Sequence, residues 1–260
     1  MEPFVHPKKS LGQHFLKDEN IARKIVASLP ADPVNILEIG PGMGVLTKFL
    51  LDIPDKSCFF IETDRESVAY LTEKYPNRAD RFIHADFLKS DPSALFPGRF
   101  VIIGNFPYNI SSQIFFKVLG HRETITHVVG MIQKEVAERL ASGPGTKKYG
   151  ILSVLLQAFY GIEYLFTVNE NVFVPAPRVK SAVIRLTRND RLQLGCDEGL
   201  FFRVVKTAFN QRRKTLRNAL RPLVPEFRSP DFDFFAAKRA EVLSVDEFIR
   251  LTQIIQTEKK

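Results

Sequence analysis

Val34-Asn35-Ile36-Leu37-Glu38-Ile39-Gly40-Pro41-Gly42-Met43-Gly44 runs from a short apolar segment straight into three glycines spaced two apart, and a helical pattern from Val45 to Leu51 follows at once. An apolar run of this length bounded by a glycine turn reads as a buried strand, and the turn delivers the chain to a helix N-terminus. The same alternation recurs on both sides. Asp18 caps a helical stretch in which Ile21, Ile25, Val26 and Leu29 fall at helical spacing, with Pro30 ending it. Downstream come strands at Cys58–Ile61, Arg81–His84, Phe100–Ile103 and Ile125–Ile132, with helices at Glu66–Tyr75 and Ile110–Leu119 between them. Strands apolar on both faces and separated by helices predict a parallel sheet covered on both sides, hence an α/β class.

Further on the pattern is less regular. Val136–Leu140 and Ile151–Phe159 read as helices, and Tyr160–Val168 and Ala182–Leu186 as strands flanking the segment Phe173–Ser181. Apolar periodicity lapses over Thr187–Glu198, and short helices follow, Leu243–Ile255 being the clearest. A boundary there divides the chain into an α/β domain with a basic N-terminal arm, residues 1–190, and a small all-helical domain, residues 191–260.

The composition, 260 residues with 45% apolar and 25% charged side chains, is that of a globular protein rather than a disordered or collagenous one. The two cysteines, Cys58 and Cys196, stand too far apart for a zinc cluster or a disulfide framework. No apolar stretch is long enough to span a bilayer. These features predict a cytoplasmic protein with no membrane association and no metal, acting as a monomer. The net charge of +8 is unevenly placed: residues 200–224 hold Arg203, Lys206, Arg212, Arg213, Lys214, Arg217 and Arg221 with no acid, leaving the other 235 residues at +1.

Glycines at a strand–helix turn let the backbone approach a ligand closely, although a plain tight turn has the same composition. Glu62 ends the second strand 22 residues after Gly40, where a carboxylate can hold both ribose hydroxyls of a nucleoside. Asp86 ends the third strand on the same edge, within reach of an adenine amino group. The dinucleotide fingerprint requires G-x-G-x-x-G, whereas the spacing here is G-x-G-x-G. Glu38 is also an acid where a pyrophosphate is repelled. A cationic nucleoside without phosphates suits these residues, and S-adenosylmethionine is the obvious one.

Asn105-Phe106-Pro107-Tyr108 follows the fourth strand, again at the carboxyl edge of the sheet. Asn and Pro alone are compatible with an ordinary turn. The four together suit an exocyclic amine, whose lone pair is delocalised into its ring. The Asn105 side-chain oxygen and a backbone carbonyl can accept both N–H groups, Pro107 stiffens the backbone, and Tyr108 offers a face to an extruded base. Phe173, in Phe173-Val174-Pro175-Ala176-Pro177-Arg178-Val179-Lys180-Ser181, is the candidate for the opposite face, although two prolines also make a rigid connection on their own account.

With these segments, Lys9-Ser10-Leu11-Gly12-Gln13-His14-Phe15-Leu16, and Ala208-Phe209-Asn210-Gln211-Arg212-Arg213-Lys214-Thr215-Leu216-Arg217-Asn218, the chain resembles the small-subunit ribosomal RNA adenine N6,N6-dimethyltransferases over nearly its whole length. The resemblance implies a Rossmann-like methyltransferase domain followed by a small helical C-terminal domain, with S-adenosylmethionine held by His14, Leu16, Gly40, Glu62, Asp86 and Asn105. It also implies catalysis by Asn105, Phe106, Pro107 and Tyr108 with Phe173 opposite, a small-subunit rRNA substrate, and the assembling small ribosomal subunit as partner. The product is N6,N6-dimethyladenosine at two adjacent adenosines of the 3′-terminal hairpin loop. The family commonly carries Asn where this chain has His14.

Read as one helix, the basic segment places Arg213, Arg217 and Arg221 in an i, i+4 stripe, with Phe209, Leu216 and Leu220 facing inward. A charge run is ordinarily a solvated face; stacked like charges without acidic relief point instead to a polyanion. Arg212, Arg213, Lys214, Arg217 and Arg221 are therefore the expected RNA contacts, extended by Lys8, Lys9 and Lys17 of the arm. Two other functions fit parts of this pattern: a large-subunit rRNA adenine methyltransferase of the macrolide-resistance type, and a non-catalytic nucleic-acid-binding relative of the fold.

Overall fold

The computed structural model describes residues 5–31, 35–54 and 56–258, so Val34, the expected start of the first core strand, lies outside the described residues. By contacts the chain forms two compact units. The first comprises Met1–Ala137 with Ile162–Arg188, and the second comprises Glu138–Gly161 with Asn189–Lys260. The later break falls within the stretch where apolar periodicity lapses. The second unit also takes the earlier segment 138–161, which the sequence reading had placed in the α/β domain.

In the first unit, β1 (Phe15–Leu16) and α1 (Glu19–Val26) precede β2 (Asn35–Ile39), α2 (Thr47–Leu51), β3 (Ser57–Glu62), α3 (Arg65–Lys74) and β4 (Phe82–His84). Then follow β5 (Phe100–Asn105), α4 (Ser111–Gly120), β6 (Ile125–Gln133) and α5 (Lys134–Ala141). α6 (Ile151–Gln157) leads to β7 (Tyr160–Val168), β8 (Phe173–Val174) and β9 (Ser181–Arg188). Asp18 starts α1 as expected, its carboxylate accepting the N–H groups of Asn20 and Ile21 at 2.9 and 3.1 Å.

Seven strands lie in the order β4-β3-β2-β5-β6-β9-β7. β4, β3, β2, β5 and β6 run parallel, while β9 runs antiparallel to β6. The sheet is thus mixed, a correction to the all-parallel expectation. Period and burial show that a strand is present, but its direction depends on how its neighbour is reached. From β2 the chain builds outward to β3 and β4, then returns to lay β5 on the other side. This reversal creates the crevice at the carboxyl ends of the strands where open α/β sheets bind ligands. A separate two-stranded ribbon pairs β1 with β8, Phe15 opposite Val174 and Leu16 opposite Phe173.

The second unit is helical after its early segment: α7 (Glu198–Asn210), α8 (Leu216–Ala219), α9 (Asp233–Ala236) and α10 (Val245–Glu258), with short 3-10 turns between. Its core is aromatic. Phe209 stacks on Phe248 at 5.8 Å and meets Tyr149 edge-on at 6.0 Å, and Leu216 and Leu220 are fully buried, the inward set the sequence predicted. Among the described residues, no helix is long and apolar enough to cross a membrane, and no cluster of His, Cys, Asp or Glu is arranged to hold a metal.

Candidate active site

A cleft opens at the carboxyl ends of β2, β3, β4 and β5, the place where open α/β sheets bind ligands. Its wall carries Gly40 and Gly42 after β2, Glu62 at the end of β3, Asp86 just past β4, and Asn105–Tyr108 after β5, with Leu11–Phe15 of the N-terminal arm on another side.

The glycine turn works through its backbone. Gly40, Gly42 and Gly44 all have left-handed φ values (+69°, +56°, +79°), a region that side chains rarely enter. A Cβ at Gly40 meets nothing within 4 Å, so the open face there is free for a ligand. A Cβ at Gly42 comes 2.9 Å from the Phe15 ring. The turn is tied to the next strand by Glu62, whose carboxylate accepts the N–H groups of Gly42 at 3.1 Å and Asp64 at 2.9 Å. Burial raises the Glu62 carboxyl above the ordinary range, and these two backbone donors pull back against that rise. Asp86 accepts the Leu88 N–H at 2.9 Å and lines the cleft.

Glu38 departs from the reading that set it in the site as a third acid. It is 1% exposed, does not line the cleft, and accepts the Thr47 hydroxyl at 2.7 Å. Burial pushes its carboxyl up to about 8; the Thr47 bond works against the rise and Glu62 adds to it. Near neutrality Glu38 is therefore mostly protonated, and repulsion of a pyrophosphate cannot be assigned to it. The glycine spacing and Glu62 carry that distinction instead.

The tetrad is set by packing beneath it. β5 and β6 bring Gly104 and Gly130 side by side, and the Phe106 ring lies over both. A Cβ at Gly104 falls 2.9 Å from that ring and 2.5 Å from the Ile39 carbonyl oxygen; one at Gly130 falls 2.5 Å from the ring. Phe106 is 1% exposed, and its N–H donates to the Met131 carbonyl at 3.0 Å. With the side chain seated below, Phe106 offers the cleft its main chain. Beyond it, α4 begins as Ile110 N–H donates to the Pro107 carbonyl and the Ser111 hydroxyl to that of Tyr108. The Tyr108 hydroxyl lies 2.5 Å from the Ser181 hydroxyl. Burial raises the phenol above its usual value, partly offset by that hydrogen bond.

The arm is latched at several points. The Lys8 ammonium lies 2.5 Å from the buried Asp64 carboxylate and 3.0 Å from Glu66, Gln13 donates to Asp64 at 3.3 Å, and Asp64 also caps α3 through the Glu66 N–H. Lys8 is thus engaged by acids of its own chain.

His14, Gly40, Glu62, Asp86, Asn105, Phe106, Pro107 and Tyr108 share the cleft wall; Leu16 and Phe173 do not. Leu16 and Phe173 are 5% and 2% exposed, paired with each other across the β1–β8 ribbon and packed into the core of the first unit. In this structure the Phe173 ring is packed against the core and away from the cleft wall. Pairing with the arm turned the segment into a strand, and a strand pairing so distant in sequence leaves no local signal. Sequence reasoning also missed Ser181 and the Gly104–Gly130 seat, the latter announced only by glycines inside otherwise apolar strands.

The basic segment differs as well. α7 ends at Asn210 and residues 211–215 form a turn before α8, so Arg213, Arg217 and Arg221 do not form one helical stripe. Nor are all the cations without acidic relief. Arg212 Nε donates to Glu241 at 2.7 Å and its Nη2 to the Thr146 carbonyl at 3.1 Å, while Arg217 pairs with Asp233 at 2.9 Å. Arg213, Lys214 and Arg221 are exposed and make no ion pair among the described residues.

Comparison with known proteins agrees with this geometry. Residues 5–257 match the family described as "Ribosomal RNA adenine dimethylase". The chain is 59% identical to the Ribosomal RNA small subunit methyltransferase A of Parabacteroides distasonis, over 97% of this chain and 95% of that protein. It is 58% identical to the protein of the same name from Bacteroides thetaiotaomicron, with the same coverage. Among solved structures, a dimethyladenosine transferase from Plasmodium falciparum matches with a TM-score of 0.79 at 24% identity, covering 95% of this chain and 98% of that one. The 23S rRNA methyltransferase ErmE matches with a TM-score of 0.69 at 24% identity, covering 93% and 99%. At these identities the two structures establish the Rossmann-like methyltransferase fold.

Proposed function

The chain belongs to the ribosomal RNA adenine dimethylase family, and from that premise we propose that it converts two adjacent adenosines in the 3′-terminal hairpin loop of small-subunit rRNA to N6,N6-dimethyladenosine, with S-adenosylmethionine as methyl donor. The observation that carries this reading is the convergence of the Asn105–Tyr108 tetrad with Gly40, Glu62 and Asp86 on one cleft.

The cleft residues fit a sulfonium nucleoside. Gly40 leaves open space at its Cα, Glu62 offers a carboxylate held by two backbone donors, and Asp86 supplies a second acid. Glu62 is assigned the ribose hydroxyls and Asp86 the adenine amino group, and no phosphate-binding element is needed. When bound, S-adenosylmethionine supplies an electrophilic methyl group on a positively charged sulfur.

The chain's own residues prepare the nucleophile. Asn105 Oδ1 and the Phe106 carbonyl accept the two N6–H groups of the extruded adenine. They draw the nitrogen out of conjugation and stabilise the positive charge that grows on it as the N–C bond forms. Tyr108 stacks on the base, and the stiff Pro107 keeps the carbonyl aimed. Each transfer would leave the donor as a neutral thioether and the nitrogen as a strong acid that gives its proton to water, so positioning rather than a strong base carries the rate. Arg213, Lys214 and Arg221 are assigned to rRNA phosphates as the exposed cations of the second unit, with Arg212 and Arg217 contributing once their carboxylate partners yield. We place the enzyme in the cytoplasm, acting as a monomer on rRNA of the assembling small subunit.

The test supplies labelled S-adenosylmethionine with unmodified small-subunit particles, small-subunit rRNA alone, and large-subunit rRNA, and maps the labelled nucleosides. Label at two adjacent adenosines of the small-subunit hairpin is expected. Label in large-subunit rRNA, or none at all, overturns the reading. Tyr108→Ala and Asn105→Ala are each expected to lower transfer about a hundredfold, Tyr108→Ala while leaving cofactor and RNA binding mostly intact.

A further inference from the structure

We infer that His14 is a positioning residue for the tetrad, one that sets the polarity of Asn105 and backs the ring of Tyr108. The inference rests on the tetrad reading above and adds a residue from the N-terminal arm to it.

Three contacts converge on this one residue. Its backbone carbonyl accepts the Asn105 Nδ2–H at 2.8 Å. Its imidazole Nδ1 lies 2.8 Å from the Pro175 carbonyl oxygen. Its ring stacks on Tyr108, with centroids 5.5 Å apart and planes 29° from parallel.

Each contact has a chemical consequence. A carboxamide presents a donor at one end and an acceptor at the other, and either end can face a ligand unless something distinguishes them. Because the His14 carbonyl can only accept, the Asn105 nitrogen must face the arm, leaving Oδ1 as the acceptor for the target amine. A carbonyl likewise fixes the imidazole tautomer: Nδ1 must carry the proton to donate to Pro175. This bond holds the imidazole ring in place, and its stacking covers one face of Tyr108, leaving the other to the base. The far end of Tyr108 is held by Ser181, which is fully buried at the start of β9, where it stands opposite Gln133 of β6. Tyr108 is thus braced at its oxygen by the sheet and at its ring by the arm. Since misplacement by about 1 Å can cost a hundredfold in rate, such bracing has kinetic weight.

The full-length protein carrying His14→Ala, His14→Phe or His14→Asn separates this role from others. Single-turnover methyl transfer is measured at saturating S-adenosylmethionine on small-subunit particles, with cofactor Kd determined by calorimetry and folding checked by thermal melting. His14→Ala is expected to slow transfer about tenfold with cofactor Kd within threefold of the parent. His14→Phe, which keeps the ring, is expected to recover to within threefold, and His14→Asn, which keeps a donor but no ring, to remain near His14→Ala. In a Tyr108→Ala background, His14→Ala is expected to cost less than twofold, because the residue acts through Tyr108.

A tenfold weaker cofactor Kd with unchanged transfer makes His14 a cofactor ligand and overturns the inference. Recovery by Asn but not by Phe, or additive losses with Tyr108→Ala, also overturns it. If His14→Ala does not fold, the Phe and Asn variants decide alone by their order. A Tyr108→Ala enzyme as fast as the parent identifies failure of the tetrad reading itself, independently of any result at residue 14.

Discussion

The cleft of the first unit and the basic segment of the second hold their charges in opposite ways. In the cleft, Glu62 is buried and bound by two main-chain N–H groups from the turns on either side of it. In the basic segment, Arg212 and Arg217 are bound mainly by the side chains of Glu241 and Asp233, on partly or fully exposed ground. A charge held by buried backbone is fixed to within the tolerance of the fold and can serve a small ligand in one geometry. Exposed side-chain pairs contribute little to stability and are screened by salt. Their cations can be transferred to phosphates at small cost, which suits a large polyanion approached by diffusion. The lesson is one of stiffness: the acid of the cleft is held by main chain and the cations of the basic segment by rotamers.

The hardest test of that stiffness is Gly104→Ala. Its Cβ would collide with the Ile39 carbonyl oxygen at 2.5 Å and with the Phe106 ring, neither of which can yield without moving β2 or the tetrad. A loss of roughly 3 kcal/mol or more in urea unfolding, with transfer falling at least as far as in Tyr108→Ala, is expected. A stable, active variant would show that the Phe106 seat does not govern the site.

Glu38 supplies a pH test of comparable size. Its folded-state value of about 8 stands above that of an unfolded glutamate. Its contribution to stability is therefore full below about pH 4.5 and is lost as pH rises through about 8. The loss is on the order of 5 kcal/mol, at about 1.4 kcal/mol for each unit between the ordinary 4.5 and about 8. Glu38→Gln keeps a neutral side chain of the same size and is expected to flatten the stability–pH curve in that window, as read by denaturant midpoints from pH 5 to 9. An unchanged slope removes Glu38 as its source.

Smaller effects follow at the ligand-facing acid. Glu62→Gln keeps the shape but loses the charge and turns one end of the side chain into a donor. Cofactor affinity measured by calorimetry is expected to fall about tenfold to a hundredfold, as for a hydrogen bond to a charged group. The smallest effects lie in the basic segment. Replacing Arg213 and Lys214 by Ala is expected to lower the salt slope of rRNA binding by about one per lost phosphate contact, with little change in melting temperature. Arg217→Ala should cost stability of at most about 1 kcal/mol through the lost Asp233 pair. If Arg213 and Lys214 alter melting but not the salt slope, the two regions do not differ as described.

The strand–turn–helix at Asn35–Leu51 was legible because its signals are local: apolar residues at strand spacing, glycines with positive φ, and an immediate helical pattern. The tetrad was legible for the same reason, since Pro107 and its neighbours restrict the backbone by themselves. The burial of Phe173 was not legible because it depends on pairing with Leu16, more than 150 positions earlier. The arginine stripe was misjudged because α7 ends at Asn210 and the acids that answer Arg212 and Arg217 stand 29 and 16 positions away.

What the sequence by itself determined is the order of strands and helices, the glycine turn, the position of Glu62 and Asp86 at strand ends, and the tetrad after β5. All of these follow from rules acting over a few residues. Only the tertiary structure decided that Glu38 holds a proton while Glu62 faces the cleft, that Leu16 and Phe173 belong to the core, and that His14 and Ser181 brace Tyr108. Desolvation and hydrogen-bond partnership depend on which distant segments meet, and no local pattern encodes that meeting.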